Sequence, residues 1–436
     1  MKFKIRSLYA ALTLAVAAPA ANADDLLQIY QQALTSDTIV LQAQSQRDAL
    51  YETIEENRAP LLPTISANVG YAKAWNDLDD GKPTEKPDGF TGGVTLNQVI
   101  YDHSAWVGLD LAEMAASQAD SAYASALQAL IIRVTTAYFD VLTAKDNYEF
   151  QGAEKRAIER QLEQTKQRFA VGLTAITDVH EAQAQYDLAS ATEILAENTL
   201  ANSYEALREI TGIDHKTINT LDTNRFSAGA ANPTSSSEWL KIAETNSIDL
   251  MTQRIGRDIA SKTIDLFKAG HMPSLNLGAG YTKGFEQNPG YDYDNANIAV
   301  TLSVPIFEGF KVSSQVKQAQ FQYVEASEKL EQVHRGVVKD VRNNFNNVGA
   351  SISSIRAYEQ SVISSESALK ATQAGFEVGT RTIVDVLNRT RDLYDSKRQL
   401  SDARYGYINS ILALKQAAGT LSEDDIISIN NGLIAQ

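Results

Sequence analysis

The chain has 436 residues, a formal net charge of −15 and no cysteine. The missing thiols exclude disulfide staples and thiol chemistry, and the acidic balance argues against nucleic acid or an anionic membrane surface as partner. The five histidines, His103, His180, His215, His271 and His334, lack metal-ligand spacing, so no metal is expected and each should lie at the surface or line a pore.

Residues 1–23 carry Lys2, Lys4 and Arg6, an apolar stretch from Leu8 to Val16, and then Ala21, Asn22 and Ala23. That basic, apolar and small-residue layout predicts a secretory signal, and its apolar part is shorter than the roughly 20 residues of a bilayer-spanning helix. Its removal would take the charge from −15 to −18. No later segment reads as a transmembrane helix.

Prolines mark the boundaries that follow. Beyond Pro19 they fall at Pro60, Pro63, Pro83, Pro87, Pro233, Pro273, Pro289 and Pro305, leaving 88–232 and 306–436 free of the strongest helix breaker. Pro60 to Lys73 and Gly89 to Tyr101 predict a first β-hairpin over about 61–101. A helix follows over about 102–171, where Leu127, Ile131, Val134, Tyr138 and Val141 keep a coiled-coil spacing. Its length would be on the order of 100 Å. A turn at Gly172 leads into a partner helix over about 176–211, ended by the C-cap signal Thr211-Gly212.

The second hairpin is expected over about 274–307, from Pro273 to Lys283 and from Asn297 to Phe307. There Ile298, Val300, Leu302, Val304 and Ile306 alternate with small or polar residues, as in a strand with one apolar face. Roughly ten residues suits a tilted membrane strand, and Tyr71, Trp75, Phe90, Tyr101, Tyr281 and Phe307 stand at strand ends, where interfacial aromatic girdles occur. The polar stretches Asn76 to Asp88 and Glu286 to Asp294 read as surface loops. Two more long helices are expected over about 311–376 and 383–418.

The chain is therefore a tandem repeat, with a first unit over 24–220 and a second over 221–420. A constant offset of 207 residues carries Phe169, Gly172 and Asp178 onto Phe376, Gly379 and Asp385, and Gly212 onto Gly419. The helices are dense in Ala, Ser, Gln and Asn, so each can bury only a narrow stripe. Periodicity alone fits a hollow helical tube and an extended dimeric coiled coil equally, and the strands favour the first. Four strands cannot close a barrel, and open edges are not tolerated in hydrocarbon, so a spanning chain must oligomerise. Three copies would supply twelve strands, though the sequence does not fix the number. Neither repeat shows a nucleophile with a base, a phosphate loop or an acid/base pair, so no catalytic residue and no enzyme are expected.

Several runs carry a family resemblance: Arg58-Ala59-Pro60-Leu61-Leu62-Pro63, Gln167-Arg168-Phe169 with Val171-Gly172-Leu173 and Ala175-Ile176-Thr177-Asp178-Val179, Ser314-Gln315-Val316-Lys317-Gln318-Ala319-Gln320, and Val378 through Leu387. Over its whole length the chain resembles the outer membrane factor family, the trimeric outer-membrane channels of drug efflux and type I protein secretion. The resemblance implies a mainly α fold with membrane β: a trimeric 12-strand β-barrel continuous with a 12-helix periplasmic α-barrel. Equatorial elements would fall at 214–246 and 421–436. It implies a homotrimer in outer-membrane lipid, a periplasmic adaptor, an inner-membrane efflux pump or ABC exporter, and no cofactor.

By the same resemblance the turns Val171-Gly172-Leu173 and Val378-Gly379-Thr380 form an adaptor-binding tip. Arg381 would link to Thr177 and Asp178, and Asp385 would line the pore aperture. Thr382 with Asp385 also reads as a capping box, and Thr177 as an N-cap, roles compatible with the first. Two positions depart from the family pattern. Asn388 stands where a second aperture aspartate is expected, and Phe376 where a tyrosine donates a closure bond that a phenyl ring cannot. The other function class consistent with the sequence is a periplasm-spanning structural or adaptor coiled-coil protein without its own pore.

Overall fold

A computed structural model describes residues 24–73, 88–286 and 293–435. The expected signal, Trp75 and most of the two expected surface loops lie outside the described residues. In order, the described chain forms α1 (Leu26–Ser36), α2 (Thr38–Arg58), β1 (Thr64–Lys73), β2 (Asp88–Tyr101), α3 (His103–Ala170) and α4 (Ile176–Thr211). After β3 (Thr220–Leu221) come α5 (Ser236–Asn246), α6 (Ile248–Ala269), β4 (Ser274–Glu286), β5 (Tyr293–Ser303), α7 (Lys311–Glu377), α8 (Ile383–Ala417), α9 (Glu423–Asn430) and β6 (Leu433–Ile434).

The four longer strands form one antiparallel sheet in the order β1-β2-β4-β5. Its register sorts the side chains by chemistry. Ile65, Val69 and Tyr71 align with Leu96, Gly92 and Phe90, and Leu275 and Leu277 with Leu302 and Val300, so these apolar groups share one face. That face is bare, with Val69 83 % and Ile298 77 % exposed. Ser66, Asn68, Thr95, Asn97, Asn276, Thr282, Asn297 and Thr301 occupy the other face, interleaved with glycines. At Gly280 a Cβ would lie 2.8 Å from Asn297 Oδ1, so a larger residue would push that side chain aside. The outer ladders of β1 and β5 have no strand beside them among the described residues.

At each level four helices lie side by side. Next to the sheet these are α2, α3, α6 and α7, and farther away α3, α4, α7 and α8. The helices over 26–58 and 248–269 were not expected from the sequence. Polar links tie them in: Tyr51 donates to Asp120 at 2.7 Å, and Lys262 pairs with Asp110 at 2.7 Å. In the lower pair, Ala182, Ala189 and Ala196 recur every seven residues on the buried face of α4, letting it approach α3 closely, and Lys155 pairs with Glu193 at 2.7 Å across the seam.

Three apolar clusters hold the helices. The largest gathers Tyr138, Phe139, Leu142, Leu207, Ile408 and Leu412 between α1, α3, α4, α8 and α9, with Phe139 stacked on Tyr405 at 5.4 Å. The expected seam residues Ile131, Val134, Tyr138 and Val141 all belong to it. A second forms around Trp239, Leu250, Val341, Val348 and Leu414, and a third near the hairpin ends around Ile158, Leu162, Phe376, Ile383 and Leu387.

Two polar groups are buried at the joints. His215, expected at the surface or in a pore, is 3 % exposed, because Thr211 and Asp24 close over it. Its Nδ1 lies 2.8 Å from Asp24 Oδ2 and its Nε2 3.0 Å from Thr211 Oγ1. Asp37 is both the C-cap of α1 and the N-cap of α2, accepts from Val40 N at 2.9 Å, and takes a bidentate fork from Arg133 at 2.7 and 2.8 Å. Burial works to raise its pKa, but the Arg133 fork and the Val40 N–H outweigh it and hold the carboxyl below its ordinary value.

A carboxyl with a depressed folded pKa contributes stability above its unfolded value, near 4, and loses it as pH falls through the folded value. Asp37→Asn should cost about 1.5–3 kcal/mol at neutral pH by weakening the charge-assisted fork to Arg133, whose side chain is itself partly exposed. Thermal unfolding followed by circular dichroism should show the wild type losing this advantage on acidification below about pH 4, while the variant changes little over that window.

Candidate gate at the hairpin tips

The two helical hairpins turn in the same way. Each long helix ends in a Schellman motif with glycine in the left-handed region, Gly172 at φ 77° and Gly379 at φ 76°. Leu173 N donates to Arg168 O and Thr380 N to Gly375 O, both at 2.8 Å, while Gly172 N donates to Phe169 O and Gly379 N to Phe376 O at 2.9 and 3.1 Å. The offset of 207 residues is thus a conserved hydrogen-bond pattern between the two halves. Val171, Leu173 and Val378 stand bare at the turns.

Beyond the turns the halves diverge. Helix α8 starts with a full capping box: Thr382 N and Oγ1 each donate to Asp385 Oδ2 at 2.9 Å, and Asp385 N donates to Thr382 Oγ1 at 3.2 Å. The Thr382 N–H and hydroxyl, with Arg381 and Arg389 nearby, hold the Asp385 carboxyl below its ordinary pKa. Asn388, one turn on, accepts from Arg391 at 3.2 Å. In the first half the N-cap of α4 is Ala175, not Thr177, because Thr177 already lies inside the first turn, where its hydroxyl cannot reach a free N–H. The local bond there joins the Thr174 hydroxyl to Asp178.

Arg381 is exposed, and its stem passes so close to Gly375 that a Cβ there would lie 2.8 Å from Arg381 Cγ. Within the chain no hydrogen bond or ion pair joins Arg381 to Thr177 or Asp178 among the described residues. Phe376 is 8 % exposed in the apolar cluster of the tip, and the Arg168 guanidinium lies over its ring, 4.7 Å from the centroid. The sequence marked Arg168 only as part of the family run Gln167-Arg168-Phe169 and gave it no role at the gate, since in the last turn of α3 it reads as an ordinary C-terminal cation.

A sheet with one apolar, largely exposed face and two edges that are open among the described residues, joined to paired hairpins with matching tips, points to a membrane channel protein. The chain belongs to the outer membrane efflux protein family, matched over residues 29–213 and 239–420, two blocks that follow the two halves of the fold. It is 50 % identical to the outer membrane protein TolC of Vibrio cholerae over 99 % of this chain and 98 % of that protein. It is 27 % identical to the proteases secretion protein PrtF of Dickeya chrysanthemi over 96 % of this chain and 93 % of that one. Among solved structures, a CusC crystal structure superposes with a TM-score of 0.81 at 16 % identity, over 91 % of this chain and 92 % of that one, a likeness of fold alone. The chain is an outer-membrane protein.

Because both tip glycines sit at positive φ, Gly172→Ala and Gly379→Ala should each strain the turn by about 1–2 kcal/mol. Hydrogen exchange of the Leu173 and Thr380 amides, which close the two motifs, should then accelerate by about 5- to 30-fold in the corresponding variant.

Proposed function

We propose that three copies of this chain form an outer-membrane exit duct for drug efflux and type I protein secretion, opened at its periplasmic tip by an adaptor that couples it to an inner-membrane pump or ABC exporter. The observation that carries this reading is the sheet: one face bare and apolar, the other lined with Ser, Thr, Asn and Gly, and two edges with unpaired ladders. Such a sheet cannot rest in hydrocarbon alone, since each unpaired backbone group there costs several kcal/mol. Three sheets joined edge to edge pair every ladder and give twelve strands, an even number within the range of outer-membrane barrels. The four helices at each level then continue as a twelve-helix tube. A periplasmic coiled-coil adaptor would have no use for the bare apolar sheet.

The tip is where such a duct would close. Arg381, exposed and unpaired within its own chain among the described residues, is free to reach Thr177 and Asp178 of the neighbouring copy. Its counterpart in the first repeat is Thr174, so each chain offers one guanidinium. A charge-assisted bond of this kind contributes roughly 1.5–3 kcal/mol when partly desolvated, and three act together. Asp385 would line the aperture as a ring of three carboxylates, with Asn388 neutral one turn above. The exposed Val171, Leu173, Val378 and Thr380 around Gly172 and Gly379 would meet the adaptor.

In planar bilayers Arg381→Ser should raise single-channel conductance and, in cells, admit large antibiotics such as vancomycin. Wild-type conductance in that variant would remove the tip as the gate, and a monomer in detergent with its strands protected from exchange would remove the trimer.

Crowding of three Asp385 carboxylates acts against their capping bonds and makes the ring a site for polyvalent cations. Asp385→Ala should weaken cation selectivity and block by trivalent cations. Undiminished block would place that site elsewhere.

A further inference from the structure

We infer that Arg168 is a second gate link, binding the α3–α4 hairpin to the α7–α8 hairpin of the same chain through the face of Phe376. The inference rests on reading the tip as the gate. Four observations carry it. The Arg168 guanidinium carbon lies 4.7 Å from the centroid of the Phe376 ring, within cation–π range. The ring is 8 % exposed and sits in the apolar cluster that joins the two hairpins. Arg168 Nε is buried without a hydrogen-bond partner, and among the described residues no carboxylate forms an ion pair with this guanidinium. The side chain is half-buried, with its Nε turned away from water, and the electron-rich ring face answers the guanidinium's charge there.

The backbone fixes both partners. Arg168 O accepts from Leu173 N and Phe376 O accepts from Gly379 N, so each residue is held in the last turn of its helix by the Schellman motif of its own hairpin. The pairing is peculiar to one side of the repeat. At the offset of 207 residues Phe169 corresponds to Phe376, yet it is exposed, and Arg168 corresponds to Gly375, whose missing side chain leaves room for the stem of Arg381. Arg168 thereby ties the two hairpins together by ring contact. It is a positioning residue, acting on the gate through Phe376.

Ring electronics separate this role from simple packing. Phenylalanine at 376 should be replaced by its mono-, di- and trifluorinated analogues, which drain the ring face at almost constant shape, and channel opening recorded in planar bilayers with Arg381→Ser as the control. The ratio of open to closed tips should climb with each fluorine, reaching about two- to tenfold, and Phe376→Trp should hold it at or below the wild-type level. Arg168→Gln should give the same rise and abolish the response to fluorine. If fluorination leaves the ratio unchanged while Arg381→Ser still opens the channel, the Arg168 link is wrong and the gate stands. If Arg381→Ser is also silent, the tip is not the gate and both readings fall.

Discussion

The constraint on which this structure depends is that backbone hydrogen bonds must be satisfied where there is no water. A sheet of four strands leaves the ladders of β1 and β5 open, and in an outer-membrane protein those ladders must be paired by something. In the proposed barrel the period-two chemistry of the strands would turn apolar groups outward and Ser, Thr, Asn and Gly inward. The inner glycines let the asparagine side chains lie against the sheet, as the 2.8 Å clash of a Cβ at Gly280 with Asn297 shows. In the duct proposed above, what lies below the sheet continues a wall rather than filling a core, and the narrow stripes and broad polar faces of the helices suit that arrangement.

Duplication supplies that wall economically, and the two copies then depart where their tasks differ. Their turns share φ values and hydrogen bonds to within a few tenths of an ångström. Their partners do not match: Gly212 has open space around it, whereas a Cβ on Gly419 would lie 2.1 Å from Asn246 O, because the second half docks against the α5–α6 joint. At the tips, Asp178 takes a threonine hydroxyl from the preceding loop, while Asp385 closes a capping box. Equivalent carboxylates thus meet different local chemistry, and Asp385 has the exposed Arg381 beside it.

Much of this was legible in the sequence, for identifiable reasons. The long helices and the strands announced themselves through proline boundaries, alternation and glycine caps, and the capping box at Thr382 and Asp385 was readable from spacing alone. The alternation overran at Val304 and Ile306, since the strand expected to reach Phe307 ends at Ser303, before Pro305. Helices α1, α2 and α6 were not, although Asp25 with Gln28 is a capping-box pattern and Ile248, Ile255 and Ile259 recur at helical spacing. Helix α2 buries only Val40, so it has no apolar stripe to read. The burial of His215 depends on Asp24, 191 residues away in sequence, and the contact of Arg168 with Phe376 joins separate hairpins. Pairings of that kind arise from tertiary packing, which local patterns do not encode.

The way the α3–α4 and α7–α8 hairpins meet suits the proposed opening at the tip. Between the apolar clusters, α3 and α8 touch through polar groups: Arg398 reaches Glu154 at 3.1 Å, and Tyr405 donates to Asp146 at 2.9 Å. Burial pushes the carboxyls of Glu154 and Asp402 above their ordinary values, the Arg398 bond only partly offsetting this at Glu154. Carboxylates held against their preference regain hydration when the helices slide apart, so separation costs little along this seam. An apolar seam of equal area would resist at about 25 cal/mol per Å². On the proposed reading of the tip as the gate, such a seam leaves closure to be secured where it ends, at the tip, by a small number of strong contacts.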